Sequence, residues 1–172
     1  PGDIDVLVRP DDLPAAHGAL TESGWASSGL PEPADDRLSA WIRWMRRERS
    51  YVSDVSTIDL HWRVAVDQTL LPPTRELLSR AVVVDIDGFP ARTLAPSDAF
   101  AAACYHAYLD RFARLRSLID IVRLARDPRV AVPATAPARQ RRMIAESVTF
   151  THRLIGGFDD ERLMQLTGGR DV

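Results

Sequence analysis

The chain has 172 residues, of which 45% are hydrophobic and 27% charged, a balance that fits one ordinary globular domain or one domain with a helical appendage and excludes general disorder. All 22 basic residues are arginine, which excludes a Schiff-base or phosphate-loop lysine, and the formal net charge of -2 creates no overall field that would attract a nucleic-acid backbone. A lone cysteine, Cys104 in an apolar stretch, excludes both a disulfide framework and a Cys-rich zinc site and reads as a small core residue.

In chain order, Asp3 to Val8 alternates and is rich in β-branched residues, which predicts a strand with Ile4, Val6 and Val8 turned to the core and Asp3 and Asp5 on the other face. A helix follows, capped by Asp11 or Asp12, with Leu13, Ala16 and Leu20 as its apolar stripe and Gly24 after its end. Residues 27 to 36 read as a loop. Residues 38 to 51 are ambiguous between helix and strand, and are read as a helix or irregular lead-in followed by a strand. Thr57 to Val64 is clearer, because Ile58, Leu60, Trp62 and Val64 alternate with Asp59, His61 and Arg63. One face of that strand is apolar and the other can do chemistry.

After Pro72-Pro73 a short helix is expected over 74 to 81, then a hairpin turning at Asp87-Gly88. Beyond Pro96 the pattern becomes helical. Ser97 is expected to cap a helix reaching about Leu109; a second carries Leu115, Leu118, Ile119 and Val122; 128 to 138 reads as a linker; and a third runs from Arg139 to about Leu154. Gly156-Gly157 breaks it before a last short helix from Asp159 to Leu166. The expected architecture is α+β: a small antiparallel or mixed sheet with flanking helices over 1 to 95, and a helical region over 96 to 172.

Side chains two apart on a strand share a face, so Asp3 and Asp5 stand together, and Asp59 joins them if its strand lies alongside at about 4.8 Å. Carboxylate oxygens clustered in this way suit Mg²⁺ or Mn²⁺, which relieve their mutual repulsion and bind phosphate oxygens. Gly2, without a Cβ, lets a phosphate or neighbouring backbone approach.

The segments Gly2-Asp3-Ile4-Asp5-Val6-Leu7-Val8 and Ile58-Asp59-Leu60-His61-Trp62-Arg63, with Cys104-Tyr105-His106 through Arg114-Leu115-Arg116 to Asp120, together resemble the uncharacterised nucleotidyltransferase family of the polymerase-β superfamily. The likeness covers roughly residues 1 to 126. It implies that Asp3 and Asp5 are paired metal ligands, that Asp59 is the third acid, and that a nucleoside triphosphate is the substrate, with an acceptor that the sequence does not identify. It also implies a Gly-Ser or Gly-Gly turn ahead of the paired acids. The chain starts at Pro1, so an N-terminally incomplete version of the fold is expected.

His61 shares the face of Asp59, where it can orient that acid or touch substrate, or serve as a hydrogen-bonded structural histidine. Arg63 can meet a phosphate or neutralise Asp59. His106 is expected to be buried and satisfied by another side chain, and Asp120 to anchor one helix to another. The arginines at 111, 114, 116, 123 and 126 read as a solvated face, and Trp41, Trp44 and Trp62 as core or interface anchors. The function expected is Mg²⁺-dependent nucleotidyl transfer. Two alternatives stand beside it: an inactive binding or regulatory protein on the same fold, such as a toxin–antitoxin component, and a metal-dependent phosphohydrolase. No run of residues has the length and apolarity of a membrane span and no leader pattern opens the chain, so a bacterial cytoplasm is the expected address.

Overall fold

The computed structural model describes residues 3–27, 29, 36–54 and 56–169, and the chain divides into two compact units. The first comprises Pro1–Val66 with Pro73–Leu78, and the second Asp67–Pro72 with Ser79–Val172. The expected division at 95 and 96 would instead have left the hairpin with the first sheet.

In the first unit, β1 (Asp3–Leu7), β2 (Ala26–Ser27), β3 (Glu48–Val52) and β4 (Thr57–His61) form a mixed sheet in the order β1-β4-β3-β2. β1 runs parallel to β4, which is antiparallel to β3. Helix α1 (Leu13–Glu22) covers one face, where Leu13 meets Tyr51, Ile58, Leu60 and Trp62, with Val8, Ala16, Leu20 and Trp25 packed around them. The alternation of Ile58, Leu60 and Trp62 has its physical cause here, since burying three such side chains is worth about 4.5–9 kcal/mol in total, at roughly 1.5–3 kcal/mol each.

The edge strand differs from expectation. Ile4 and Val6 lie on the core face, yet they are 54% and 37% exposed, because β1 has β4 on one side only and the packed cluster draws on Val8. Asp12 is the N-cap residue of α1, but its carboxylate pairs with Arg9 at 2.7 Å and makes no cap hydrogen bond. Helix α2 (Arg37–Met45) is properly capped, Asp36 accepting from Ser39 N–H at 2.7 Å, and this bond holds the Asp36 carboxyl below its usual pKa. Trp62 is buried as expected and donates through Nε1 to the Arg43 carbonyl. Trp41 and Trp44 are 56% and 69% exposed, so they do not anchor this core. β2 falls where a loop was expected; two residues are too few to show an alternation, and pairing with β3 plus a 3.0 Å bond from Arg49 to Ser27 Oγ hold it.

Helix α3 (Thr74–Arg80) begins in the first unit, where the Thr74 hydroxyl donates to the Trp62 carbonyl at 2.7 Å. The second unit contains the hairpin β5 (Val82–Ile86) and β6 (Phe89–Thr93), and helices α4 (Pro96–Leu109), α5 (Leu115–Ala125), α6 (Ala138–Ile155) and α7 (Asp160–Thr167). Ser97 does not cap α4. Pro96 occupies the first turn with Ala95 before it, and the Ser97 hydroxyl instead donates to Arg129 O and accepts from Ala131 N–H.

The linker is accordingly tied down. Val130 is buried, and Arg162 donates to the carbonyls of Ala125, Asp127 and Val130 at 2.9 to 3.1 Å, serving the unpaired end of α5 from a helix far along the chain. His106 is exposed rather than buried, being turned away from the face that buries Cys104, Tyr105 and Ala107. The five arginines are exposed as expected, Arg114 pairing with Asp110 at 3.1 Å. Cys104 is fully buried, which pushes its thiol pKa far up. Among the described residues, no helix is long and apolar enough to cross a membrane.

Gly157 explains part of the Gly-Gly break. Its φ is +99°, and an added Cβ would lie 2.8 Å from Val122 Cγ1 on α5. Gly157→Ala is therefore expected to destabilise the helical unit by about 1–3 kcal/mol, as overpacking does, measured by urea denaturation. Wild-type stability in that variant would contradict the packing described.

Candidate active site

The face of the sheet opposite the core carries the acids. β1 and β4 pair with Asp3 opposite Thr57, Asp5 opposite Asp59 and Leu7 opposite His61. β3 adds Glu48 opposite His61 and Ser50 opposite Asp59. Paired residues share a face, so two strands separated by some fifty residues of chain bring the predicted acids into one row. Sequence alternation made this possible; parallel pairing made it happen.

The row is ordered by one histidine. His61 is 8% exposed, and its Nε2 lies 2.6 Å from Asp5 Oδ1. An ionised carboxylate only accepts, so Nε2 carries the hydrogen in this bond. The acid that His61 orients is thus Asp5, across the strand pair, and not Asp59, two residues away. Behind the ring, His61 Nδ1 lies 3.3 Å from Glu48 Oε2, which is itself 2.8 Å from Arg47 Nε. Glu48 was missed at sequence level because its strand hid inside the ambiguous 38 to 51 stretch.

Asp59 is half-buried, and its Oδ1 is shielded from solvent without a hydrogen-bond partner. An orphaned carboxylate oxygen is costly unless something supplies positive charge or a donor. Asp3 is exposed, and the Asp5 side chain is 70% exposed but held at one oxygen by His61. Among the described residues, no three His, Cys, Asp or Glu side chains are gathered tightly enough to enclose a metal ion. The donors nevertheless suit a hard cation in kind: oxygen ligands on one face, one of them orphaned, beside two exposed acids. Mg²⁺ is commonly held by one or two carboxylates together with water and substrate phosphates, so a row of acids suffices without a closed cage.

Arg63 stands apart from this row. Its Nη2 donates to the carbonyls of Arg43 and Arg46 at 2.8 and 2.7 Å, and also to Trp44 O, so it closes the C-terminal end of α2. Gly2 lies outside the described residues.

The profile of the uncharacterised nucleotidyltransferase family matches residues 1–153. The chain belongs to that family. The match extends through α5 and nearly to the end of α6, beyond the sequence likeness at 1 to 126. No curated protein and no solved structure matches the chain significantly. Nucleotidyl transfer is the general activity by which the family is described, and a nucleotide is the corresponding substrate class.

The contacts of Arg63 make a separate prediction. Arg63→Ala should fray the end of α2 and cost about 1–3 kcal/mol through the carbonyls it leaves unserved. Hydrogen exchange at the Arg46 amide, which donates to Ile42 O, reads this directly; unchanged protection would show that the arginine does not hold the helix end.

Proposed function

We propose that the protein transfers a nucleotidyl group from a nucleoside triphosphate to an acceptor hydroxyl in an Mg²⁺-dependent reaction centred on Asp3, Asp5 and Asp59. The observation that carries this reading is the in-register pairing of Asp5 with Asp59 in a member of a nucleotidyltransferase family. Asp3 extends the row along the same edge strand, on the same face as Asp5.

In the proposed reaction the acceptor oxygen attacks the α-phosphorus. A new P–O bond forms, the bond to the β-phosphate bridging oxygen breaks, pyrophosphate leaves, and the acceptor proton passes to a base. Asp59 is the candidate for that base or for holding the acceptor-side cation, because its buried oxygen has no other partner. Asp3 and Asp5 would hold the Mg²⁺ that the reaction requires. Bound there, Mg²⁺ supplies the positive charge that steadies the phosphates and the leaving pyrophosphate. Gly2 is proposed to permit close phosphate approach, and His61 acts through Asp5. The Arg63 guanidinium already serves three carbonyls, so phosphate contact is not assigned to it.

The test is incubation of the full-length protein with α-labelled NTP, Mg²⁺ and a cell extract as acceptor source. Label is expected to move to an acceptor, and Asp59→Asn to lower the rate by at least ~100-fold, the usual worth of a positioned base. Label released only as free nucleotide would indicate a phosphohydrolase instead. Complete inertness would leave a binding protein on this fold.

A further inference from the structure

Glu48 stands beside His61 in the acidic row and takes no part in the proposed reaction. We propose that Glu48 is a positioning residue: through His61 it fixes the orientation of Asp5, holding one carboxylate oxygen so that the other faces the cation. The inference rests on the proposed function and names a residue that this function requires but that touches no substrate.

Three observations support it. Asp5 is on an edge strand with its side chain 70% exposed, and nothing but the 2.6 Å bond from His61 Nε2 restrains its carboxylate among the described residues. Without that bond it would sample several rotamers, and ordering it would count against each binding event. Behind the buried His61 ring lies Glu48 Oε2, 3.3 Å from Nδ1, a close contact between two shielded atoms that make no hydrogen bond. Finally, Glu48 Oε2 is shielded from solvent with no aligned hydrogen bond of its own, and the ion pair with Arg47 Nε at 2.8 Å fixes the side chain in place. A buried carboxylate oxygen is kept in such a position only where nearby positive charge or polar hydrogens face it.

Arg47, Glu48, His61 and Asp5 thus make a line in which groups able to carry positive and negative charge alternate, crossing β3, β4 and β1 in turn. The line ends at the Asp5 oxygen Oδ1. Oδ2 is the oxygen left for a cation and its bound phosphates. Outer carboxylates that aim a histidine toward a metal centre commonly change metal affinity by about 10- to 100-fold when removed; here the same logic is displaced by one residue, with the histidine aiming a carboxylate.

The experiment measures Mn²⁺ binding by electron paramagnetic resonance on the full-length protein, with and without NTP, for wild type, Glu48→Gln, His61→Gln and the double variant. Glu48→Gln keeps the shape of the side chain and should weaken Mn²⁺ binding about tenfold. In the His61→Gln background it should weaken it no further, because Glu48 acts only through the ring. Equal losses in both backgrounds, or no loss in either while wild type binds Mn²⁺, would overturn the positioning role and leave the proposed function standing. Failure of wild type to bind Mn²⁺ with NTP present would overturn both.

Discussion

Everything proposed for this chain depends on the parallel pairing of β1 with β4. It places Asp5 beside Asp59 and lets His61 reach across to Asp5, a contact spanning 56 residues of sequence. Closing so long a loop costs conformational entropy that the polar contacts could not offset on exposed strands. The offset lies on the opposite face, where Ile58, Leu60, Trp62 and Tyr51 are buried against Leu13 of α1. The chemistry of one face is thus held in register by the hydrophobic packing of the other.

That division also explains which side chains are fixed and which are free. β4 is an inner strand, so Asp59 and His61 are held by neighbours on both sides. β1 is an edge, so Asp3 and Asp5 remain exposed, and Asp5 is held only through its bond to His61. For the proposed function this arrangement places an inner strand held on both sides beside an exposed edge strand whose Asp5 is aimed by His61. The histidine between them is the coupling element. Nucleotidyl transfer then requires little covalent work from the protein, whose task is to place phosphates and acceptor and to balance charge.

Much of this was legible in the sequence. The alternation of Ile58, Leu60 and Trp62 with Asp59 and His61 identifies a half-buried strand without reference to any structure, and Asp3 and Asp5 two apart fall on one face by the same rule. The α+β class and most helices followed from periodicity and from proline and glycine breaks. What did not follow was set by tertiary context. Ile4 and Val6 look like core residues, but an edge strand leaves them partly uncovered. Glu48 went unnoticed because Arg49 is buried on the core face next to it, so that Glu48-Arg49-Ser50-Tyr51 shows no clean alternation of polar and apolar residues. Ser97 looked like a cap and serves instead to pin the segment after α5, which no local pattern announces. The partner of His61 was misassigned for the same reason: spacing names the residues that share a face, and only strand pairing says which of them touch.

The most direct measurement is a crystal structure of the full-length protein with Mg²⁺ and a non-hydrolysable NTP analogue. Carboxylate oxygens of Asp5 and Asp59 should lie about 2.1 Å from bound metal, with the triphosphate lying over the acidic row and His61 still bonded to Asp5. Nucleotide and metal bound at another place, with Asp59 unliganded beneath an empty sheet face, would contradict the account.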